Sequence, residues 1–277
     1  MPFCGSYVMA PIAIKLGGNI DQTTKILNEM SVGNIKFGIG FSDYFGSRNS
    51  SKINFSGQVV NGNTLFVIDT DHATHLLVSD ANGVLGMVPL DHETISSIDL
   101  TTVDKTRTYK EIKFENTPIE ILEGTIKSTN AIEKSIDAGR ITLAADSLGA
   151  SQTMLDMAVS YSKERKQFNR VIGSFQAVKH MCAEMASELE PCYSLVWHAA
   201  HSFDNSEDDA KLMACHAKSH VSEISKEISK KATEVHGGMG FTDLLGTHYW
   251  FKRIGLNRQL LGAPEIVRAE AAKIQGF

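Results

Sequence analysis

YSKERKQFNRVIGSFQAVKHMCAEM, residues 161–185, decides how the chain is organised. It is a short polar interruption between two long helical periods. Within a dozen residues it carries Arg165, a Gln-Phe pair (Gln167, Phe168) and a Phe-Gln pair ending at Gln176. Read for packing alone, it is a solvated turn with two phenylalanines for the core. Read for chemistry, the planar donor fork of Arg165 suits a phosphate or pyrophosphate, and Gln167 and Gln176 offer amides to a ribityl or adenine edge.

Outward from this stretch the period is helical. In 206–236, Met213, Ala217, Val221, Ile224, Ile228, Ala232 and Val235 recur every three or four positions. Ser206, Glu207, Asp208 and Asp209 mark the start of that helix, and Gly237-Gly238 its end. Segments 129–162 and 174–203 share the pattern, with Pro191 predicted to kink the second. A short helix near 243–254 and a last one from Pro264 complete the set. Long amphipathic helices with short links predict a helical bundle.

Before residue 125 the character differs. KINFSGQVV and LFVIDT flank Asn61-Gly62, and HLLVSD and VLGMVPL flank Asn82-Gly83. Asn-Gly between apolar runs is a strong hairpin signal, because both residues tolerate positive φ. YKEIKFENTPIEIL alternates like a strand until Pro118. Residues 7–31 read as one or two helices. The expected fold class is α+β, with a remnant helical segment at 1–34, a small antiparallel β domain at 35–125 and a C-terminal helical bundle at 126–277.

The net charge of −5 gives no basic footprint, which disfavours a nucleic-acid role. No apolar run is long enough to span a bilayer. MPFCGSYVMAPIAIKLGG lacks a basic n-region and a clear cleavage site, so it reads as a buried helix rather than a signal peptide. Four cysteines without CxxC spacing suit reduced thiols in a cytoplasmic protein. His198 with His201, and His216 with His220, have helical spacing, but no acidic pattern accompanies them, so no metal site is expected. Rossmann, Walker and GxSxG motifs are absent from the sequence.

The ordered set R-K-Q-F, then F-Q, then H-G-G-M-G-F closing a helix, then L-G-A-P-E-I-V-R resembles the acyl-CoA dehydrogenase family, most strongly from about residue 135 onward. NGNTLFVIDTDHATHLLV is similar, more weakly, to a strand of that family's β domain, and GFSDYFGS stands where its flavin-ring loop would be. The resemblance implies an N-terminal helical domain, a middle β domain and a C-terminal four-helix bundle. It also implies FAD bound between the β domain and the bundle, with its far end in a neighbouring subunit. Carried over by position, it places Arg165 on the neighbour's FAD pyrophosphate, Gln167 and Phe168 along the flavin, and Gln176 near the adenine. Glu234, Gly237 and Gly238 would meet the adenosine end. Ala263 and Glu265 would lie against the cofactor, and Phe66 beside the isoalloxazine. The implied reaction takes a proton from the α-carbon of an acyl-CoA and a hydride from the β-carbon. Electron-transfer flavoprotein is the implied acceptor.

The sequence departs from that pattern where the chemistry needs a base. Of the two positions that supply the carboxylate in the family's branches, one is Leu261 here and the other is Gly139, before Arg140. Neither accepts a proton. Glu265 is a weak substitute, better explained as a first-turn acid. GFSDYFGS lacks the Thr-Glu pair, and Ile68 replaces a hydroxyl residue. The N-terminal helical domain is short. The pattern resembles the short subunit without the base in heteromeric dehydrogenases of CoA-linked steroid side chains, which pairs with a full-length catalytic subunit. Three readings stand: accessory subunit in a homo- or hetero-oligomer, autonomous enzyme with a displaced base, or flavin-free binding member of the fold.

Overall fold

The computed structural model describes residues 3–42 and 53–277. Packing divides the chain into two compact units, Met1–Gly139 and Arg140–Phe277.

The first unit begins with a π-helical turn, Cys4–Met9, running into α1 (Ala10–Gly17) and then α2 (Ile20–Ser31). Asn19 starts α2 with a capping box: its side chain accepts from the Gln22 N–H at 2.8 Å, and the Gln22 side chain accepts from the Asn19 N–H at 3.2 Å. The Gln22 amide also donates to the Ile121 carbonyl, tying the helix to the sheet.

That sheet contains β1 (Phe37–Gly40), β2 (Asn54–Ser56), β3 (Val59–Ile68), β4 (His75–Ser79), β5 (Leu85–Pro89), β6 (Ile95–Asp99), β7 (Tyr109–Pro118) and β8 (Glu120–Ile121), in the order β6-β7-β3-β1-β4-β5-β8, with β2 beside β3. It is antiparallel except for the β1–β4 pair. Val60, Val67, Leu76, Val78, Val88, Ile112 and Phe114 form its apolar core. Fully burying a side chain of this size contributes about 1.5–3 kcal/mol.

One expected hairpin holds and one moves. Asn82-Gly83 lies in the β4–β5 turn, where Asp80 Oδ1 accepts from the N–H groups of Asn82 and Val84 and Gly83 takes φ +83°. Asn61-Gly62 is not a turn. The β2–β3 hairpin reverses at Gly57 (φ +62°), and Gly62 (φ +108°) sits inside β3 where the register with β7 shifts. Both Asn-Gly pairs supply positive φ, but the second is used for a bulge. Asn61 is engaged across the sheet, its Oδ1 accepting from the Asn116 N–H at 2.7 Å.

The second unit is helical. α3 (Asn130–Glu164) crosses the boundary between the units. It is followed by a two-residue ladder of β9 (Lys166–Gln167) and β10 (Arg170–Val171), and by α4 (Gln176–Asp204), α5 (Ala210–His236), α6 (Thr247–Gln259) and α7 (Pro264–Ile274). α4 is a single helical element through Pro191. Met154, Met185, Leu189, Val221, Ile228 and Ile254 centre the core. Buried serines line the helices; Ser151, Ser219 and the neighbouring Thr233 donate to carbonyls one turn back, which satisfies each hydroxyl locally. None of the four cysteines is in a disulfide. Among the described residues no helix is long and apolar enough to cross a membrane, and no group of three His, Cys, Asp or Glu could hold a metal ion.

Candidate functional site

Two clusters of expected residues form in the helical unit, at opposite ends of the same stretch of α3. The first is built on its C-terminal end. Lys166-Gln167 pairs with Arg170-Val171 across a two-residue turn in which Phe168 (φ +50°) and Asn169 (φ +60°) are both left-handed. Positive φ at both central residues is the type I′ pattern of tight hairpins. Asparagine tolerates it; phenylalanine is strained there. Yet Phe168 is 87% exposed, so the strain secures no burial within this chain. The hairpin is braced from behind, where Phe175 meets Phe168 edge-on at 6.1 Å and takes the Arg170 guanidinium over its ring at 4.0 Å.

Arg165 enters this hairpin. It is exposed and has no ion-pair partner among the described residues. Gln167 and Gln176 are exposed as well. The glycine turn comes to the same end. Tyr161 packs against His236 in a tilted arrangement with centroids 4.7 Å apart, and His236 is buried with Nδ1 2.7 Å from the Ala232 carbonyl. Gly237 follows with φ +59°, ψ −142°, a conformation essentially reserved for glycine. Gly238 differs: its φ is ordinary, and an added Cβ would meet nothing within 4 Å. The chain's own fold therefore gives no reason for glycine at 238. Glu234, Gly237 and Gly238 are all exposed.

The second cluster is the turn between α6 and α7. Leu261 is left-handed (φ +55°), followed by Gly262 at φ +102°. A buried cation holds this strained turn. Arg140, with a side chain 2% exposed, donates from Nε to the Leu261 carbonyl at 3.0 Å, pairs with Glu270 at 2.8 Å and reaches Cys215 Sγ at 3.5 Å. Burial pushes the Glu270 carboxyl up, but the hydrogen bond and charge of Arg140, with Lys211 behind, outweigh it and hold the group below its ordinary value. A second buried cation, Lys218, donates to the Asn257 and Arg258 carbonyls at the end of α6. Arg253 and Asn257 both bind Asp146, which docks α6 on α3.

Glu265 lies beside this turn and is exposed. Its carboxylate is lowered by its own backbone N–H and then by Arg258, which it meets at 2.7 Å. A general base working near neutral pH needs the opposite shift. Ala263 is the half-buried residue preceding α7. Gly139 closes the first unit and carries no side chain.

Phe66 belongs to the first unit. The register of β3 shifts between Thr64 and Val67, and Phe66 sits in that shift at φ +52°, 45% exposed, while Val67 and Ile68 on either side of the alternation are both buried. Of GFSDYFGS, residues 43–47 lie outside the described residues.

Arg140 and Lys218 were not among the expected site residues. Their signal was present only as charges at positions where the helical period calls for apolar ones. Arg140 and Arg165 are 25 residues apart on and just past α3. At 1.5 Å per residue that is roughly 38 Å, too far for the two clusters of one chain to hold one dinucleotide.

A sequence profile described as "Acyl-CoA dehydrogenase, C-terminal domain" matches residues 129–275, just over half of the chain. The chain is 29% identical over 247 residues to the probable acyl-CoA dehydrogenase YngJ of Bacillus subtilis, covering 84% of this chain and 64% of that protein. Over 108 residues it is 45% identical to the caffeyl-CoA reductase-Etf complex subunit CarC of Acetobacterium woodii, covering 39% of this chain and 28% of that subunit. The matched region is thus less than two thirds of either relative's length. Among solved structures, butyryl-CoA dehydrogenase from Megasphaera elsdenii superposes with a TM-score of 0.90 at 19% identity, over 99% of this chain and 76% of that one. With the profile spanning the helical unit and the fold shared across both units, the chain belongs to the acyl-CoA dehydrogenase family.

Proposed function

We propose that this chain is the accessory subunit of a heteromeric, FAD-dependent acyl-CoA dehydrogenase, acting on the α,β carbon–carbon bond of an acyl-CoA thioester beside a full-length catalytic subunit. The single observation carrying this reading is the turn at Leu261. It is held in a strained conformation by buried Arg140 and carries an aliphatic side chain, at a position that the resemblance assigns to the carboxylate base. Glu265, the nearest alternative, is salt-bridged and more acidic than usual.

The residues present fit FAD at the other end of the bundle. Arg165, without an ion-pair partner among the described residues, offers its guanidinium to a diphosphate, and Gly238 leaves backbone open to close approach. FAD, when bound, supplies a hydride acceptor. The chain's own part is to hold the dinucleotide: Arg165 would neutralise its diphosphate, Gln167 and Gln176 would bond its polar edges, and Phe168 would cover it with an apolar face. Ala263 remains a proposed contact of a second FAD, at the Leu261 end of the bundle, and Phe66 a proposed flavin contact of the first unit. The Acetobacterium relative is named as part of a reductase-Etf complex, which supports electron-transferring flavoprotein as the class of redox partner.

The test is the visible absorbance of the purified chain, alone and co-expressed with a full-length dehydrogenase from the same source. Flavin in the co-complex only is the expected result. Flavin in the lone chain, bleached by an acyl-CoA, would mean an autonomous enzyme and overturn the accessory reading.

A further inference from the structure

A cleft of about 340 Å³ opens between the last turns of α3, the 171–174 turn and the first turns of α4. It shares Val171 with the β9–β10 hairpin but none of the proposed flavin contacts. Val178, two positions beyond Gln176 on α4, points about 200° away from it. Cys182 follows one turn further on the cleft side. The walls are Val159, Val171 and Val178. Burial raises the Cys182 thiol, so it adds soft apolar surface to the cleft and reacts slowly with electrophiles. Gly173 shapes the floor: a Cβ there would lie 2.9 Å from the Ser162 carbonyl oxygen, so any side chain would lift the turn off α3.

Two lysines, Lys163 and Lys179, also line this apolar slot. Neither has a carboxylate partner among the described residues. Lys110, Lys113, Lys211, Lys226, Lys230 and Lys231 each have one within 4.0 Å. The cleft's two hydroxyls are already committed, Ser162 donating to the Val159 carbonyl and Ser174 to the Val171 carbonyl. The lysines are therefore the side-chain donors left for a ligand.

We propose that this cleft binds a small amphipathic carboxylate, its short apolar body between the valines and its carboxylate between Lys163 and Lys179. The volume is at the small end of ligand pockets, which run from about 300 to 1,000 Å³. That suits a short chain or a single ring. The proposal is independent of the flavin reading, because it uses none of the same residues.

The experiment is calorimetric titration of the full chain with hexanoate, hexan-1-ol and acetate, together with the rate of Cys182 alkylation by iodoacetamide followed by mass spectrometry. Hexanoate is expected to saturate and to slow Cys182 alkylation. Hexan-1-ol lacks the charge and acetate lacks the body, and each is expected to bind about tenfold or more weakly. The exposed pair K163Q/K179Q is expected to weaken hexanoate by about tenfold or more without changing hexan-1-ol binding or the melting temperature. Equal binding of hexanoate and hexan-1-ol, equal binding of hexanoate and acetate, no saturable hexanoate binding, or hexanoate binding untouched by K163Q/K179Q would each overturn the proposal.

Discussion

Arg140→Met is the substitution whose cost follows most directly from the structure. Methionine fills much of the arginine's length but removes at least the bond to the Leu261 carbonyl, the pair with Glu270 and the approach to Cys215. Breaking a fully buried ion pair by deleting one partner costs about 3–5 kcal/mol. Glu270 is 32% exposed and keeps Lys211 at 3.5 Å, so its share is smaller. The stranded Leu261 carbonyl adds back part of the difference. The net expectation is about 2–3 kcal/mol, or a drop in melting temperature of about 3–6 °C. The loss should depend on pH. The Glu270 carboxyl is held below its ordinary value in the fold. Its contribution is thus present above the carboxyl's unfolded pKa and disappears as pH falls through the lower folded one. The gap between wild type and Arg140→Met should be widest at neutral pH and narrow below about pH 4. Chemical unfolding followed by circular dichroism at pH 7 and pH 3.5 reads both quantities. Adding Glu270→Gln to Arg140→Met should recover part of the loss, because the uncompensated charge goes with it. A neutral-pH cost under about 1 kcal/mol, or a double variant no more stable than Arg140→Met, would refute the reasoning.

Phe168→Gly should stabilise the chain by up to about 1 kcal/mol, because glycine accepts the left-handed turn and the exposed ring contributes little burial. An unchanged or lower melting temperature would show that the Phe175 contact outweighs the strain. Gly238→Ala should leave the melting temperature within about 2 °C, since the added methyl meets nothing. The same change should lower the flavin content of a co-purified complex, measured near the flavin absorbance maximum. Leu261→Glu should place a carboxylate on the turn that Arg140 holds, and acyl-CoA-dependent flavin bleaching in the co-complex should rise above wild type. No rise, in a variant that folds and retains flavin, would count against Leu261 as the missing base.

The bundle was legible because its signal is local. The apolar positions of α5 keep their period for 27 residues, and Gly237-Gly238 stops it where the sequence says it should. Asn82-Gly83 was legible for the same reason. Asn61-Gly62 misled because a pair competent for a turn does not say whether a better one stands nearby, and Gly57 was available four residues earlier. The residues around Leu261 were the least legible. An arginine in a helix reads as a solvated charge, and only the fold reveals that Arg140 bonds a carbonyl 121 residues away. Lys218, buried against the end of α6, was hidden by the same non-local pairing. The resemblance marks Phe168 as a contact, but nothing in the sequence signals its left-handed backbone, since a phenylalanine carries no local preference for that region.

The roughly 38 Å between Arg140 and Arg165 bears on stoichiometry. A chain whose two ends serve two different cofactors contributes to two sites and completes neither. Paired with a base-bearing subunit, it would generate sites of two kinds. One kind joins this chain's Arg165 end to the partner's carboxylate. The other joins the partner's arginine end to Leu261. Bound flavin and reducible flavin would then be different numbers, with acyl-CoA reducing only about half of the flavin in a fully loaded complex. That ratio would be set by which end of one long helix each cofactor meets, and not by affinity.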